Sequence, residues 1–216
     1  MQESTLTRNS AGRIILITSL LSIGYAILRY HISGPVPWKD LPFYTLNKGF
    51  ALSGFVLLLF TFSFGPLNNL GFHVPERFLH ARKALGMAGF IVVFIHALIS
   101  FLLFKPGIYG KFFHQDGTLT LAAGLSMLGG VLSFVILWVY NLSFQTHLRD
   151  DKRFIRFITS RQFILPAMLT SVLHIFFMGY RGWLSPADWH GGLPPISLVS
   201  FAFFLIAYVI NLLGRE

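Results

Sequence analysis

The sequence predicts an all-α polytopic membrane protein, a six-transmembrane-helix bundle with both termini cytoplasmic. Three observations support this prediction: 54% of the 216 residues are hydrophobic, only 12% are charged, and the mean hydropathy is +0.66. Soluble domains seldom have such a composition, and each long apolar segment is near the roughly 20 residues needed to cross a bilayer. Because these segments use most of the chain, we expect residues 1–216 to form one domain.

Polar or Pro/Gly-rich segments separate the predicted spans. The first span follows the polar start MQESTLTRNSAGR, which is typical of a signal anchor, and the second ends at Gly65 and Pro66. The segments GPVPWKDLP and SPADWHGGLPP read as loops before the second and sixth spans. The six predicted spans are residues 12–32, 48–67, 83–104, 118–141, 162–180 and 194–213.

Positive charge is concentrated on the side of the membrane that holds both chain ends. Eleven of the 17 lysine and arginine residues fall there: Arg8, Arg13, Arg77, Arg82, Lys83, Arg149, Lys152, Arg153, Arg156, Arg161 and Arg215. The positive-inside rule places that side in the cytoplasm. We therefore expect a multi-pass protein of a bacterial inner (plasma) membrane, with the lipid bilayer as a partner and no nucleic acid.

Two histidines stand out from the other six. The chain has no cysteine, which excludes disulfides and cysteine-held iron–sulfur clusters within it. His96 and His174 lie well inside spans three and five, where an ionisable side chain costs about 2–3 kcal/mol or more unless it has a partner. The remaining histidines lie at predicted helix ends or in loops and are expected to be ordinary interfacial residues: His31, His73, His80, His114, His147 and His190.

The spacing places these two histidines at one depth. His96 follows Arg82 by 14 residues and His174 follows Arg161 by 13, so each lies roughly 20 Å from the cytoplasmic end of its helix. Taken alone, each histidine could equally be a neutral imidazole that is hydrogen-bonded to a neighbouring helix. Two neutral imidazoles that face each other from separate helices are what axial ligation of haem iron requires. Zinc is disfavoured, because no third or fourth ligand of a suitable type lies at that depth.

Small and β-branched residues near the histidines are candidates for a pocket around a flat macrocycle. They are Gly89, Val92 and Val93 in span three and Ala167, Thr170 and Ser171 in span five. Arg181 lies about 10 Å beyond His174 on the same helical face, where a guanidinium could pair with a haem propionate or attract an anionic acceptor. It could equally be an ordinary interfacial arginine that extends its charge to the membrane surface. Gly124, Gly129 and Gly130 in span four are expected to serve close helix packing.

The stretch RKALGMAGFIVVFIH resembles the arginine, leucine-glycine and histidine signature of the ferric reductase-like transmembrane domain. This family includes STEAP metalloreductases, NADPH oxidases and the membrane haem subunit of bacterial methionine sulfoxide reduction. The stretches NKGFALSGFVLLLFTFSFGPL and TSVLHIFFMGY are similar to its second and fifth spans. The resemblance implies six helices that hold b-type haem and pass electrons across a membrane, with His96 and His174 as the outer haem ligands.

The chain departs from the family at the positions where several members hold a second haem. Those positions are occupied here by Arg82 or Lys83 and by Ser160 or Arg161, which implies a single haem. The flavin and NADPH domains of some relatives are also missing, so the resemblance implies a separate electron donor, either a cytoplasmic flavin reductase or a membrane quinone. The acceptor is expected to be a ferric or cupric ion, oxygen or a periplasmic reductase partner.

The region between the histidines and the cytoplasm is a candidate second cofactor site. Five small residues could line a slot there: Gly86, Gly89, Ala167, Thr170 and Ser171. Arg82, Lys83 and Arg161 would lie at its cytoplasmic mouth, where they could bind the phosphate of a flavin, FAD or FMN. A quinone is the alternative occupant, because it needs an apolar slot and no phosphate clamp. Each cation could equally be a topological anchor.

Two other classes of function remain open at this point. One is a transporter in which the paired histidines form a proton relay, although no carboxylate lies within a span and only Pro166 strongly interrupts one. The other is a haem-binding sensor or assembly factor without turnover.

Overall fold

Six long helices form the bundle that the sequence predicts. The computed structural model describes residues 2–145, 148 and 150–215, with side chains from residue 9 onward, so that His147, Arg149 and the side chain of Arg8 lie outside this part. Six of the described helical segments are long and apolar enough to cross a membrane. The prediction of an all-α multi-pass protein is therefore confirmed, whereas the side of the membrane that holds the termini stays a prediction.

Each predicted span corresponds to one long helix, and the observed helices extend beyond several spans. Helix α3 begins at Glu76 rather than near residue 83, because Pro75 is extended and Glu76 places an acidic group in the first turn. Hydropathy detects only the apolar part of such a helix. The helices are α1 Gln2–Ala26, α2 Leu46–Asn69, α3 Glu76–Leu103, the short α4 Pro106–Tyr109, α5 Leu121–Leu142, the amphipathic α6 Lys152–Thr159, α7 Arg161–Trp183 and α8 Ile196–Gly214.

Two π-helical segments join the first two spans at one end of the bundle. Ile27–Ile32 continues α1, and Leu41–Thr45 leads into α2. Arg29 in the first segment is buried, and its Nε donates to the carbonyl oxygens of Leu193 and Pro194 at 3.0 and 2.8 Å. This side chain therefore attaches α1 to the loop before α8. We call this end of the bundle the Arg29 end.

Helix α2 is the centre of the bundle and packs against α1, α3 and α8. Helix α7 packs instead against α5 and α8, and it makes no extended contact with α3. The main core lies between these groups and is built from large apolar side chains. Its buried members include Leu58, Phe62, Leu137, Tyr140, Ile164, Met168 and Phe204.

Glycines allow the closest approaches between helices. A Cβ on Gly89 of α3 would lie 3.1 Å from the carbonyl oxygen of Gly54 on α2, so these two backbones are nearly in contact. A Cβ on Gly129 of α5 would lie 2.8 Å from the backbone nitrogen of His174 on α7. The packing role predicted for Gly129 and Gly130 is confirmed. For Gly124 it is wrong, because a Cβ at Gly124 would meet nothing within 4 Å.

A proline inside α2 leaves one backbone carbonyl without its helical hydrogen bond, and a side chain that follows α8 donates to that carbonyl. Pro66 has no N–H, so the carbonyl of Phe62 loses its partner within the helix. The Arg215 Nη2 atom donates to this carbonyl, and Nη1 donates to the Thr159 carbonyl at 2.7 Å. The Arg215 Nε atom donates to Asn211 Oδ1 at 2.8 Å. We call this opposite end of the bundle the Arg215 end.

Replacing Arg215 with methionine should destabilise the protein, because the Phe62 carbonyl would be left without a donor. A buried acceptor without a partner costs about 1–3 kcal/mol, so the melting temperature in detergent should fall by several degrees. Arg161→Met is the matched control, since it removes an exposed cation at the same end. Equal melting temperatures for the two variants would contradict this role of Arg215.

Candidate histidine site between helices α3 and α7

His174 on α7 is held by α5 through one ring nitrogen. Its Nδ1 lies 3.0 Å from the carbonyl oxygen of Ser126 and 3.1 Å from the hydroxyl of the same residue. A carbonyl oxygen can only accept, so Nδ1 carries the hydrogen and, in the neutral ring, Nε2 keeps its lone pair. The ring rests on Gly130, where a Cβ would lie 2.9 Å from Nδ1.

His96 on α3 is held in the same way by α2. Its Nδ1 lies 2.9 Å from Oδ1 of Asn47, a residue that is 1% exposed. The Asn47 Nδ2 group donates to Ser100 Oγ at 3.0 Å, which orients the amide so that its oxygen faces the imidazole. Nδ1 is therefore the donor in this ring as well, and Nε2 again keeps its lone pair when the ring is neutral.

The two imidazoles belong to helices that run in the same direction and scarcely touch. His96 lies about two turns before the end of α3, and His174 lies between two and three turns before the end of α7. Both side chains are half-buried, and they are close enough to interact electrostatically. Two neutral imidazoles with free Nε2 atoms on separate helices can bind one metal centre from two sides.

The described residues supply no further ligands of this kind to a bare metal ion. They contain no group of three or more His, Cys, Asp or Glu side chains that could hold one. A metal centre that arrives with its own equatorial ligands, as haem iron does, needs only two protein ligands. The donor set therefore fits a haem.

Three cations lie on the Arg29 side of the histidines or level with them. Lys48 on α2 follows Asn47 directly, and its charge reaches both imidazoles. Lys111 donates from Nζ to the carbonyl of Met178, one turn beyond His174, at 3.3 Å. Arg181 is exposed, and its Nε lies 3.2 Å from the Tyr180 hydroxyl. Helix α7 continues to Trp183, so Arg181 lies on the same helix as His174, as predicted.

Most of the small residues proposed as a haem pocket contact neighbouring helices. Val93 faces Gly54 of α2, where a Cβ would lie 2.9 Å from Val93 Cγ2, and Gly89 lies beside it. Ser171 bonds Ser133 of α5 at 2.5 Å between the hydroxyls, and Thr170 bonds the Ala167 carbonyl of its own helix at 3.0 Å. Val92 is half-buried. These contacts fix how α3 and α7 sit against α2 and α5.

At the Arg215 end, the residues proposed as a second cofactor site differ in exposure and in their contacts. Arg82 is half-buried and donates from Nε to the Thr61 carbonyl at 3.0 Å, whereas Lys83 and Arg161 are exposed. A Cβ on Gly86 would meet Thr61 Cγ2 at 3.1 Å and the Phe144 ring at 3.2 Å. Ile164 and Met168, which lie between Arg161 and His174 on α7, belong to the main core.

The positive charge of Arg82 affects the pKa of Arg215 at this end of the bundle. Burial, together with the nearby positive charge of Arg82, lowers the pKa of Arg215 to about 10. The hydroxyl of Tyr140 lies close enough to interact with both guanidinium groups. Arg82 and Arg215 each donate to backbone carbonyl groups of helix residues.

No protein-family model and no curated protein matches this chain. The fold and the site define a multi-pass helical membrane protein with a pair of histidines inside the bundle. The resemblance to the ferric reductase-like domain remains a prediction.

Sequence reasoning missed three residues of this site. Asn47 and Ser126 orient the histidines, and Lys48 carries a charge beside them. For Ser126 the available signal was its polarity, since polar residues within apolar spans tend to face the bundle interior. Asn47 and Lys48 lie at the predicted start of the second span, where polar residues are ordinary. The helix rotations needed to pair them with His96 and His174 were not readable from one sequence.

Gly130→Val should displace the His174 ring, because its Cβ would lie too close to Nδ1. We expect the histidine ring signals in ¹⁵N-histidine NMR of the membrane-embedded protein to shift as the bond to Ser126 lengthens. Gly124→Val, on the same helix with nothing within 4 Å of the added Cβ, should leave those signals unchanged. An unshifted spectrum for Gly130→Val would contradict the contact.

Proposed function

We propose that this protein carries electrons across a membrane through one b-type haem bound by His96 and His174. The observation that supports this best is the shared state of the two rings: each Nδ1 donates to an acceptor on another helix, and each Nε2 is left as a ligand atom. Metal-binding histidines usually donate their other ring N–H in this way, which fixes the tautomer and makes the ligand more basic.

The chain's own residues would position the ligands rather than react. Asn47 and Ser126 hold the ring planes, and Gly130 leaves room for the His174 ring. When bound, haem iron would supply one-electron chemistry by alternating between ferrous and ferric states. The side chains at Arg82, Lys83, Ser160 and Arg161 cannot serve as the imidazole ligands of a second haem, which supports a single one.

The proposed direction is from a cytoplasmic or membrane reductant to an acceptor on the other side. This direction follows from the expected cytoplasmic termini and from the resemblance to the ferric reductase-like family. A reduced flavin or a quinone would deliver electrons at the Arg215 end, and ferric or cupric ion, oxygen or a periplasmic reductase would receive them at the Arg29 end. Of the cations proposed for a flavin phosphate, Lys83 and Arg161 are exposed at this end, and Arg82 is half-buried.

The purified protein should show the absorption bands of one low-spin haem, which His96→Ala and His174→Ala should each abolish. Six-coordinate iron needs both imidazoles. Asn47→Leu should weaken haem binding by about 10–100-fold, because it removes the hydrogen bond that orients His96. His80→Ala removes an exposed histidine from α3 and is the control. Native spectra in both ligand variants would overturn the assignment.

The same spectra separate the proposal from its main alternative. A transporter with a histidine proton relay should contain no haem, and its uptake should depend on the proton gradient. A haem sensor should bind haem but should not be reoxidised by any external acceptor. The sensor would be favoured if the haem bands form and no electron passes in sealed vesicles.

Lys83→Gln combined with Arg161→Gln should slow haem reduction by reduced flavin about three- to tenfold at low salt, because surface charges mainly govern association. Reduction by a quinol in the same vesicles should not change. Arg77→Gln with Lys152→Gln is the control, since both residues are exposed cations of the same predicted side. Equal slowing with both donors would indicate disturbed insertion instead of a flavin site.

A further inference from the structure

Lys48 is a cation placed at the level of the histidines. It lies in the first turn of α2, directly after the Asn47 that bonds His96. Its Nζ is 5.3 Å from the centre of the Tyr44 ring and 5.0 Å from that of Tyr109, and the side chain is half-buried. Two aromatic faces stabilise a cation but do not neutralise it.

Lys48 begins a row of positive charges that leads toward the Arg29 end. Lys111 binds the carbonyl of Met178, about one turn beyond His174, and Arg181 lies about two turns beyond it. Burial and the charges of Lys48 and Arg181 lower the pKa of Lys111, so these cations disfavour one another. An anion bound among these cations would favour the charged form of each of them.

The aromatic residues around Lys48 restrict where such an anion can lie. Tyr109 packs against Phe112 and Phe104, with ring centres 6.1 and 6.0 Å apart respectively. This aromatic group also contacts Met178 of α7. The rings of Tyr44 and Tyr109 lie against Lys48 Nζ, and Asn47, the residue before Lys48, bonds His96 on α3. The anion is therefore expected on the side of the histidine pair.

We propose that Lys48 binds a carboxylate of the group held between His96 and His174, with Lys111 and Arg181 as the outer members of the same anion site. This inference rests on the proposed function, and it identifies the ligand chemistry as a propionate of the haem. A charge-assisted bond between an ammonium and a carboxylate removes the penalty of leaving a cation of α2 without an anion. Lys48 is a positioning residue in this arrangement.

The test compares the binding of haem with the binding of haem dimethyl ester to one set of variants. Protein produced without haem is reconstituted with haem or with haem dimethyl ester, in which both carboxylates are blocked, and binding is followed by absorption. The variants are Lys48→Met, the charge-conserving Lys48→Arg and, as control, Lys39→Met, which removes an exposed cation from the loop before α2.

Lys48→Met should weaken haem binding by about 10–100-fold and should leave ester binding within about twofold of the wild type. Lys48→Arg should recover most of the affinity for haem. Lys39→Met should change the binding of neither haem nor its dimethyl ester. The midpoint potential of the haem that Lys48→Met retains should fall, because loss of a nearby positive charge favours the ferric state.

Equal weakening of haem and ester would overturn the inference and assign Lys48 a purely structural role. Unchanged binding of both, with slower reduction of an anionic ferric chelate than of a neutral acceptor, would also overturn it and assign the cation to a free anionic acceptor. Wild-type protein that binds neither pigment would overturn the proposed function itself, and this inference with it.

Discussion

Hydrogen bonds between helices hold the polar side chains of this bundle, because a bilayer offers no water to satisfy them. Asn47 holds His96, Ser126 holds His174, and Arg215 holds the carbonyl that Pro66 leaves free. Among the buried side-chain nitrogen and oxygen atoms of the described residues, only the hydroxyl oxygen of Thr45 has no hydrogen-bond partner. Polar residues thus do more than line a site, since they determine how neighbouring helices are rotated against each other.

This constraint divides the bundle into two pairs of helices, each carrying one half of the histidine site. Helix α3 is positioned by α2, through the Gly54–Gly89 approach and the Asn47–His96 bond. Helix α7 is positioned by α5, through Gly129 and the Ser126–His174 bond. Because α3 and α7 barely touch, the separation of the imidazoles depends on the core between the pairs, and a mutation far from either ring can alter it.

The fold and the two histidines were predictable because they are local properties of the sequence. Long apolar segments identify spans, and an ionisable residue deep within one is conspicuous whatever its neighbours are. Asn47 and Ser126 were not predictable, because each lies far from its histidine in the chain and the pairing depends on the rotation of both helices. Helical periodicity likewise placed Gly89 and Ser171 on a histidine face, but it could not tell that α2 and α5 occupy that face.

The proline in α2 also has a consequence for how the bundle is made. Spans enter the membrane in chain order during synthesis, so α2 is inserted while the carbonyl of Phe62 still lacks its donor. That donor arrives only with Arg215, after the sixth span. Until then the central helix has an exposed acceptor and is free to bend at Pro66. The local structure of α2 at Pro66 therefore depends on a residue that is made after the last span.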